Sequence, residues 1–156
     1  MEVNIYLHTT ANAPKKKVTA YGFVLECETK KGPATLTHIG HFDDVGKNTA
    51  ELLALKEALG KLNKGCSLTI YTTPYIETAF NIWMPSWEKN GWINRKGKPV
   101  DEIYKEVKNL LKPHIYSFKT DFHSYSEWLS RETKQEEKKC LKNTESSTRQ
   151  QSSGKR

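Results

Sequence analysis

The chain has 156 residues, room for one domain with a real core plus a tail. Twenty-five Lys and Arg against 18 Asp and Glu give a formal charge of +7, which favours polyanion partners but is silent on fold. Cys27, Cys66 and Cys140 are odd in number and lack metal-type spacing, which argues against a disulfide framework and fits a reducing cytoplasm. The start of the chain shows no basic-then-apolar leader and no run is long enough to span a bilayer. The expectation is therefore a soluble, cytoplasmic monomer with no membrane partner.

Residues 2–8 alternate loosely and predict a strand with Val3, Ile5 and Leu7 on one face. Thr9 to Lys17 is a loop with Pro14 and three lysines, and Val18 to Glu28 is a second strand. Lys30-Lys31-Gly32-Pro33 makes a turn, and Ala34 to Phe42 returns as a third strand. Short connections make these three an antiparallel meander.

Asn48 to Leu59 follows as an amphipathic helix, with Leu52, Leu55 and Leu59 on its stripe beside Ala54 and Ala58. Asn48 or Thr49 is a candidate cap and Gly60 lies near its end. Glu51 borders the apolar stripe in the first turn. The ordinary reading is a favourable dipole partner; the sharper one is a carboxylate kept at a buried helix start to bind a cation.

Ser67 to Thr72 predicts a fourth strand, parallel to the first because a helix intervenes. Thr73-Pro74 opens a second helix, which Pro85 should interrupt. From Trp83 to Val100, Trp83, Trp87 and Trp92 interleave with Lys89, Arg95, Lys96 and Lys98. Trp83 reads as core. Trp87, Lys89, Trp92, Lys96 and Lys98 read as a nucleic-acid contact that combines stacking with phosphate binding. Asp101 to Leu111 is a helix stopped by Pro113, His114 to Thr120 a fifth strand, and Ser126 to about Lys139 a final helix. Residues 1–139 thus form the domain, and 140–156 a basic, polar tail expected to be disordered.

The order of three strands, helix, strand, helices, strand, helix is that of the ribonuclease H fold: an α/β, five-stranded mixed sheet, three strands antiparallel and then parallel ones, flanked by helices. The motifs agree. Asn48-Thr-Ala-Glu51-Leu-Leu-Ala-Leu resembles the Asn-x-x-Glu-Leu block of type 1 ribonuclease H. Ile70-Tyr-Thr-Thr-Pro-Tyr75-Ile resembles its Tyr-Thr-Asp-Ser-x-Tyr-Val strand end. Trp83-x-x-x-Trp87-x-x-x-Gly91-Trp92, followed by Lys98-Pro99-Val100, is similar to the basic handle of the bacterial members. The resemblance covers about residues 2–130.

The resemblance implies hydrolysis of the RNA strand of an RNA–DNA hybrid with two divalent ions, usually Mg²⁺, held by carboxylates on hard-oxygen terms. Four acidic positions carry this in the family. Here Glu51 matches the family glutamate and Glu127 best matches the last acid, so these two are the expected metal ligands. His8 falls where the shared aspartate stands, and Thr72 (or Thr73, by the alternative register) falls on the second aspartate. His123 matches the family's mobile histidine, which assists proton or product movement, and Asn48 implies a minor-groove contact where 2′-hydroxyls distinguish RNA from DNA. A charged His8 could instead pair with Glu51 and replace a metal ion. A nearby acid such as Asp43, Asp44 or Asp121 could compensate, though none stands at a motif position.

Losing the bridging ligand of a site whose ions supply several kcal/mol costs orders of magnitude in rate. The expected function is therefore binding of RNA–DNA hybrid or duplex nucleic acid with weak or lost hydrolysis, with no cofactor. The alternative is an active endoribonuclease using Mg²⁺ or Mn²⁺, with Glu51, His123 and Glu127 as its catalytic residues.

Overall fold

The computed structural model describes residues 1–11 and 17–153, with side chains as far as residue 143. Most of the predicted lysine-bearing loop, including Pro14, Lys15 and Lys16, lies outside the described residues. Strands β1 (Glu2–Thr9), β2 (Val18–Thr29) and β3 (Gly32–Asp43) form the expected antiparallel meander, with Ile5 opposite Leu25 and Leu25 opposite Leu36. Gly32, at φ 111°, supplies the left-handed backbone of the turn between β2 and β3. Strand β4 (Ser67–Tyr71) runs parallel to β1, and β5 (Ile115–Lys119) runs parallel to β4. The order β3-β2-β1-β4-β5 makes β1 central and sets its C-terminal end beside that of β4.

Helix α1 (Lys47–Leu59) begins earlier than the sequence suggests. Gly46 occupies the cap position and no side chain caps the helix, because Asn48 and Thr49 already lie inside the first turn. Thr49 instead donates to Asp101 across to a later helix, at 3.5 Å. Gly60 follows the helix with φ −65°, a right-handed value that any residue adopts.

Pro85 does not break the second helix. Helix α2 (Pro74–Thr78) passes through a π-helical turn (Ala79–Trp83) into α3 (Met84–Lys89). The wider turn sends the Met84 N–H back five residues to the Ala79 carbonyl. That turn ends just where the proline ring needs room and has no N–H to give.

Helix α4 (Glu102–Leu111) is capped by Asp101, whose carboxylate accepts from the Ile103 N–H at 3.1 Å. Helix α5 (Ser126–Ser153) continues well past the end expected near Lys139. Between Glu127 and Ser153 the sequence has neither Gly nor Pro and is rich in Glu, Gln, Lys and Arg, all good helix formers. Helical backbone therefore replaces the disordered start assigned to the tail at residue 140. Tail side chains from 144 and residues 154–156 altogether lie outside the described residues.

The larger core lies on one face of the sheet, where Val3, Ile5, Leu7, Phe23 and Leu25 meet Leu52, Leu55 and Leu59 of α1 and Val107 and Leu111 of α4. On the other face a smaller cluster of Tyr6, Val24 and Leu129 forms under α5.

Candidate functional site

A cleft of about 410 Å³ opens at the C-terminal ends of β1, β4 and β5, lined by His8, Tyr71, Thr72, Asp121, Phe122, His123 and their neighbours. Such a place, beyond the carboxyl ends of parallel strands, is where α/β sheets hold ligands.

Glu51 stands behind this wall. Its position shares a helical face with Ala54, Leu55 and Ala58, so it lies within the buried stripe rather than at its border. Only 3% of it is exposed. Burial pushes its carboxyl up to about 7, against a smaller opposing effect from the Thr72 hydroxyl and then Lys47. The Thr72 Oγ1 donates to Glu51 Oε1 at 2.8 Å, and the Thr72 N–H donates to the Lys119 carbonyl at 2.9 Å. Thr73 does other work: its hydroxyl caps α2, accepting from Ile76 N–H at 3.4 Å. Of the two threonines, Thr72 is the one that meets Glu51.

His8 forms part of the cleft wall at the end of β1, where burial and then the charge of Lys134 push its imidazole below the usual value. At neutral pH this favours a neutral ring. Among the described residues His8 and Glu51 form no ion pair; Glu51 is held by a hydroxyl, and desolvation opposes charge on both groups. Among the described residues Glu51 therefore meets Thr72 rather than the alternative partner His8.

His123 is firmly seated. Its Nδ1 accepts from Tyr125 N–H at 3.1 Å, while its own N–H donates to Ser126 Oγ at 3.0 Å. The ring packs on Tyr6 at 4.5 Å and Tyr71 at 5.3 Å between centroids. Burial, then the neighbouring His8, lowers its pKa. Glu127 is exposed in the first turn of α5, and the cleft lining includes Ser126 instead.

Two charged residues at the cleft lie outside the predicted set. Asp121 forms part of the wall, its signal being a position at the end of β5 two residues before His123. Lys134 approaches His8 because Ser126, Ser130 and Lys134 recur every four residues along α5, a spacing readable from sequence.

The handle is built around a small turn. Ile93 and Pro99 form an antiparallel bridge, and Asn94 Oδ1 accepts from the N–H groups of Lys96 at 2.9 Å and Lys98 at 3.0 Å. Gly91 and Gly97, at φ 72° and 76°, provide its left-handed corners, and Trp92 joins them at 63°. Lys89, Lys96 and Lys98 are exposed. Trp87 and Trp92 are half-buried against the core, Trp87 edge-on to Tyr104 at 5.2 Å and Trp92 under Lys105 Nζ at 5.6 Å. The tryptophans thus brace the turn from beneath, and less of their surface is open for stacking than the sequence suggests. Asn48 is half-buried at the opening of α1.

The RNase H family model matches residues 2–122. The chain belongs to the ribonuclease H family. A ribonuclease H of Clostridium botulinum is 33% identical over 130 residues, covering 77% of this chain and 81% of the relative. One of Caldanaerobacter subterraneus is 33% identical over 94 residues, 57% of this chain and 61% of the relative. Among solved structures, LC9-RNase H1, described as a type 1 RNase H with the type 2 active-site motif, aligns at TM-score 0.69 and 15% identity over 83% of this chain and 69% of that one. RNase H1 of Halobacterium salinarum aligns at 0.60 and 14% identity over 89% and 99%. LC11-RNase H1, solved with RNA/DNA hybrid, aligns at 0.61 and 15% over 89% and 99%.

Ribonucleases H generally depend on divalent metal, so the donor set can be tested against that need. A pair of Mg²⁺ ions wants clustered, ionised carboxylates. Here one buried carboxylate, Glu51, stands behind a cleft wall made of a threonine hydroxyl, two imidazoles and Asp121, with a lysine charge nearby. That set does not fit two magnesium ions.

Proposed function

We propose that this ribonuclease H family member binds RNA–DNA hybrid or related duplex nucleic acid and cleaves it weakly or not at all. One observation carries the reading: the buried glutamate behind the cleft wall meets the neutral hydroxyl of Thr72, and His8 rather than a carboxylate stands at the end of β1. A hydroxyl and an imidazole bring no negative charge to offset a pair of dications. Binding rests on different residues. Lys89, Lys96 and Lys98 extend from the handle into solvent and suit phosphates, which set affinity and register without reading sequence. Asn48, Trp87 and Trp92 complete the proposed contact surface, with Trp87 and Trp92 mainly holding its shape.

The deciding experiment pairs binding with cleavage. Filter binding against salt should show high affinity for hybrid with a steep salt slope. Incubation of labelled hybrid with Mg²⁺ or Mn²⁺ should leave it largely intact. Equal affinity for heparin would remove the binding half of the proposal, and rapid cleavage abolished by Glu51→Gln would remove the other half.

Asp121 in the cleft wall favours a second reading, a metal-dependent endoribonuclease that draws on Glu51, Asp121 and His123. It predicts cleavage in Mn²⁺ that Asp121→Asn eliminates. Glu127, exposed outside the cleft lining, would assist as a ligand only after α5 or its own side chain moves.

A further inference from the structure

Away from the cleft, α5 crosses the far edge of the sheet. Glu136 and Cys140 are four residues apart on α5 and so share a face. Opposite them is His41 of β3. One donor atom from each of these three lies within 4.8 Å of the others. The Cys140 thiol points to Glu136 Oε1 at 3.8 Å. Asp43, two residues beyond His41 and hence on the same side of the strand, is close enough for its charge to act on Cys140.

We propose that His41, Glu136 and Cys140 form a site for a single transition-metal ion of the zinc type, with Asp43 available as a fourth ligand. The donor chemistry selects the metal. A thiolate, an imidazole and carboxylates suit zinc, whereas magnesium prefers oxygen alone. Zinc bonds of about 2.0–2.3 Å place tetrahedral donors a little closer together than these atoms now stand. His41 is exposed and the other two are half-buried, so their side chains have room to close that gap.

Binding converts the thiol to thiolate: the S–H bond breaks, the Cys140–metal bond forms, and the proton leaves to solvent. Because the thiol gives up its proton on binding, uptake strengthens as pH rises. The bound ion ties α5 to β3, the edge strand whose outer backbone groups have no neighbouring strand in the sheet. Sequence spacing missed the cluster because a strand and a distant helix each contribute part of it.

The test is a Co²⁺ titration of the full, reduced chain, followed by Zn²⁺ competition. The expected result is one equivalent of Co²⁺ giving a thiolate charge-transfer band and the intense visible bands of a tetrahedral site, all lost on adding Zn²⁺. Cys140→Ser should abolish the charge-transfer band, and His41→Ala should weaken binding at least tenfold. Cys27→Ser should change neither. Zn²⁺ should raise the melting temperature of the natural chain but not of the two site variants, whose own melting in EDTA reports that they fold. Absence of the bands, their persistence in Cys140→Ser, or their loss in Cys27→Ser would overturn the site.

Discussion

Replacing Glu51 by Gln isolates the electrostatic state of the cleft, since the amide keeps an acceptor for Thr72 and cannot ionise. In the fold the Glu51 carboxyl titrates near 7 instead of its ordinary 4.5. Below the ordinary value both folded and unfolded chains hold the proton, and ionisation costs the fold nothing. As pH rises, the unfolded chain loses that proton first, so folded stability falls until the folded carboxyl also ionises near 7. Each tenfold difference in proton affinity is worth 1.36 kcal/mol, so the full loss is roughly 3 kcal/mol. The E51Q variant escapes it. Its amide introduces a buried NH₂ whose desolvation costs about 1–3 kcal/mol if unpaired, but that cost does not vary with pH. The stability of E51Q minus that of the natural chain should therefore increase by roughly 3 kcal/mol between pH 4 and pH 8. Urea unfolding across this range measures it directly, and the titrations of His8 and His123 are common to both proteins and largely cancel. A difference that stays flat with pH would falsify the neutral, buried Glu51. A difference of opposite sign would mean the carboxylate is stabilised as an anion.

Further expectations follow from the same geometry. Restoring both acids, His8→Asp with Thr72→Asp, should bring Mg²⁺-dependent hybrid cleavage up by a factor on the order of 100 or more, since several kcal/mol of metal stabilisation is at stake; a labelled-hybrid gel reads it. Replacing Lys89, Lys96 and Lys98 together with Ala should lower the salt slope of hybrid binding by about 2–3, near 0.9 per lost phosphate contact, with no change in fold by circular dichroism. Gly40→Ala should cost about 1–3 kcal/mol in urea unfolding, because its Cβ would sit 2.8 Å from the Tyr21 ring. That ring cannot easily yield, being stacked on Phe42 at 4.2 Å and hydrogen-bonded to His38 and Glu57.

The sheet was legible because its signals are local. Alternation set β1 to β3, and the helix before β4 required that strand to run parallel to β1. Helix ends were less legible. Asn48 and Thr49 are good cap residues, yet Gly46 caps α1, since the chain leaving β3 enters the helix earlier than side-chain preference alone indicates. Pro85 marks a break in any simple reading, and only the preceding π turn shows how a helix can absorb it. In the site, motif register pointed to His8 and His123, both at the cleft, and left Thr72 and Thr73 as alternatives until the hydrogen bond to Glu51 separated them. It could not place Asp121 or Lys134, because one follows a strand end and the other depends on how α5 crosses the sheet. The half-burial of Trp87 and Trp92 was equally hidden: an aromatic among lysines has the same sequence whether it stacks on a base or supports a turn.

Binding and cutting impose opposite electrostatic demands on this fold, and the proposed reading keeps one without the other. Phosphate contact needs exposed cations, which the handle supplies without any metal. Cutting by two metals needs a cluster of anions that would repel the same phosphates unless doubly charged ions intervened. On the proposed reading, His8 and Thr72 standing where the family has carboxylates lessen that repulsion, with Asp121 still in the cleft wall. On the same reading, the charge of Lys134 near His8 would attract the backbone itself rather than hinder metal binding. On this argument, restoring the aspartates should weaken hybrid binding in EDTA even as it restores cleavage in Mg²⁺. If affinity in EDTA stays unchanged in the double revertant, the cleft takes no part in holding the duplex and the handle alone must do so.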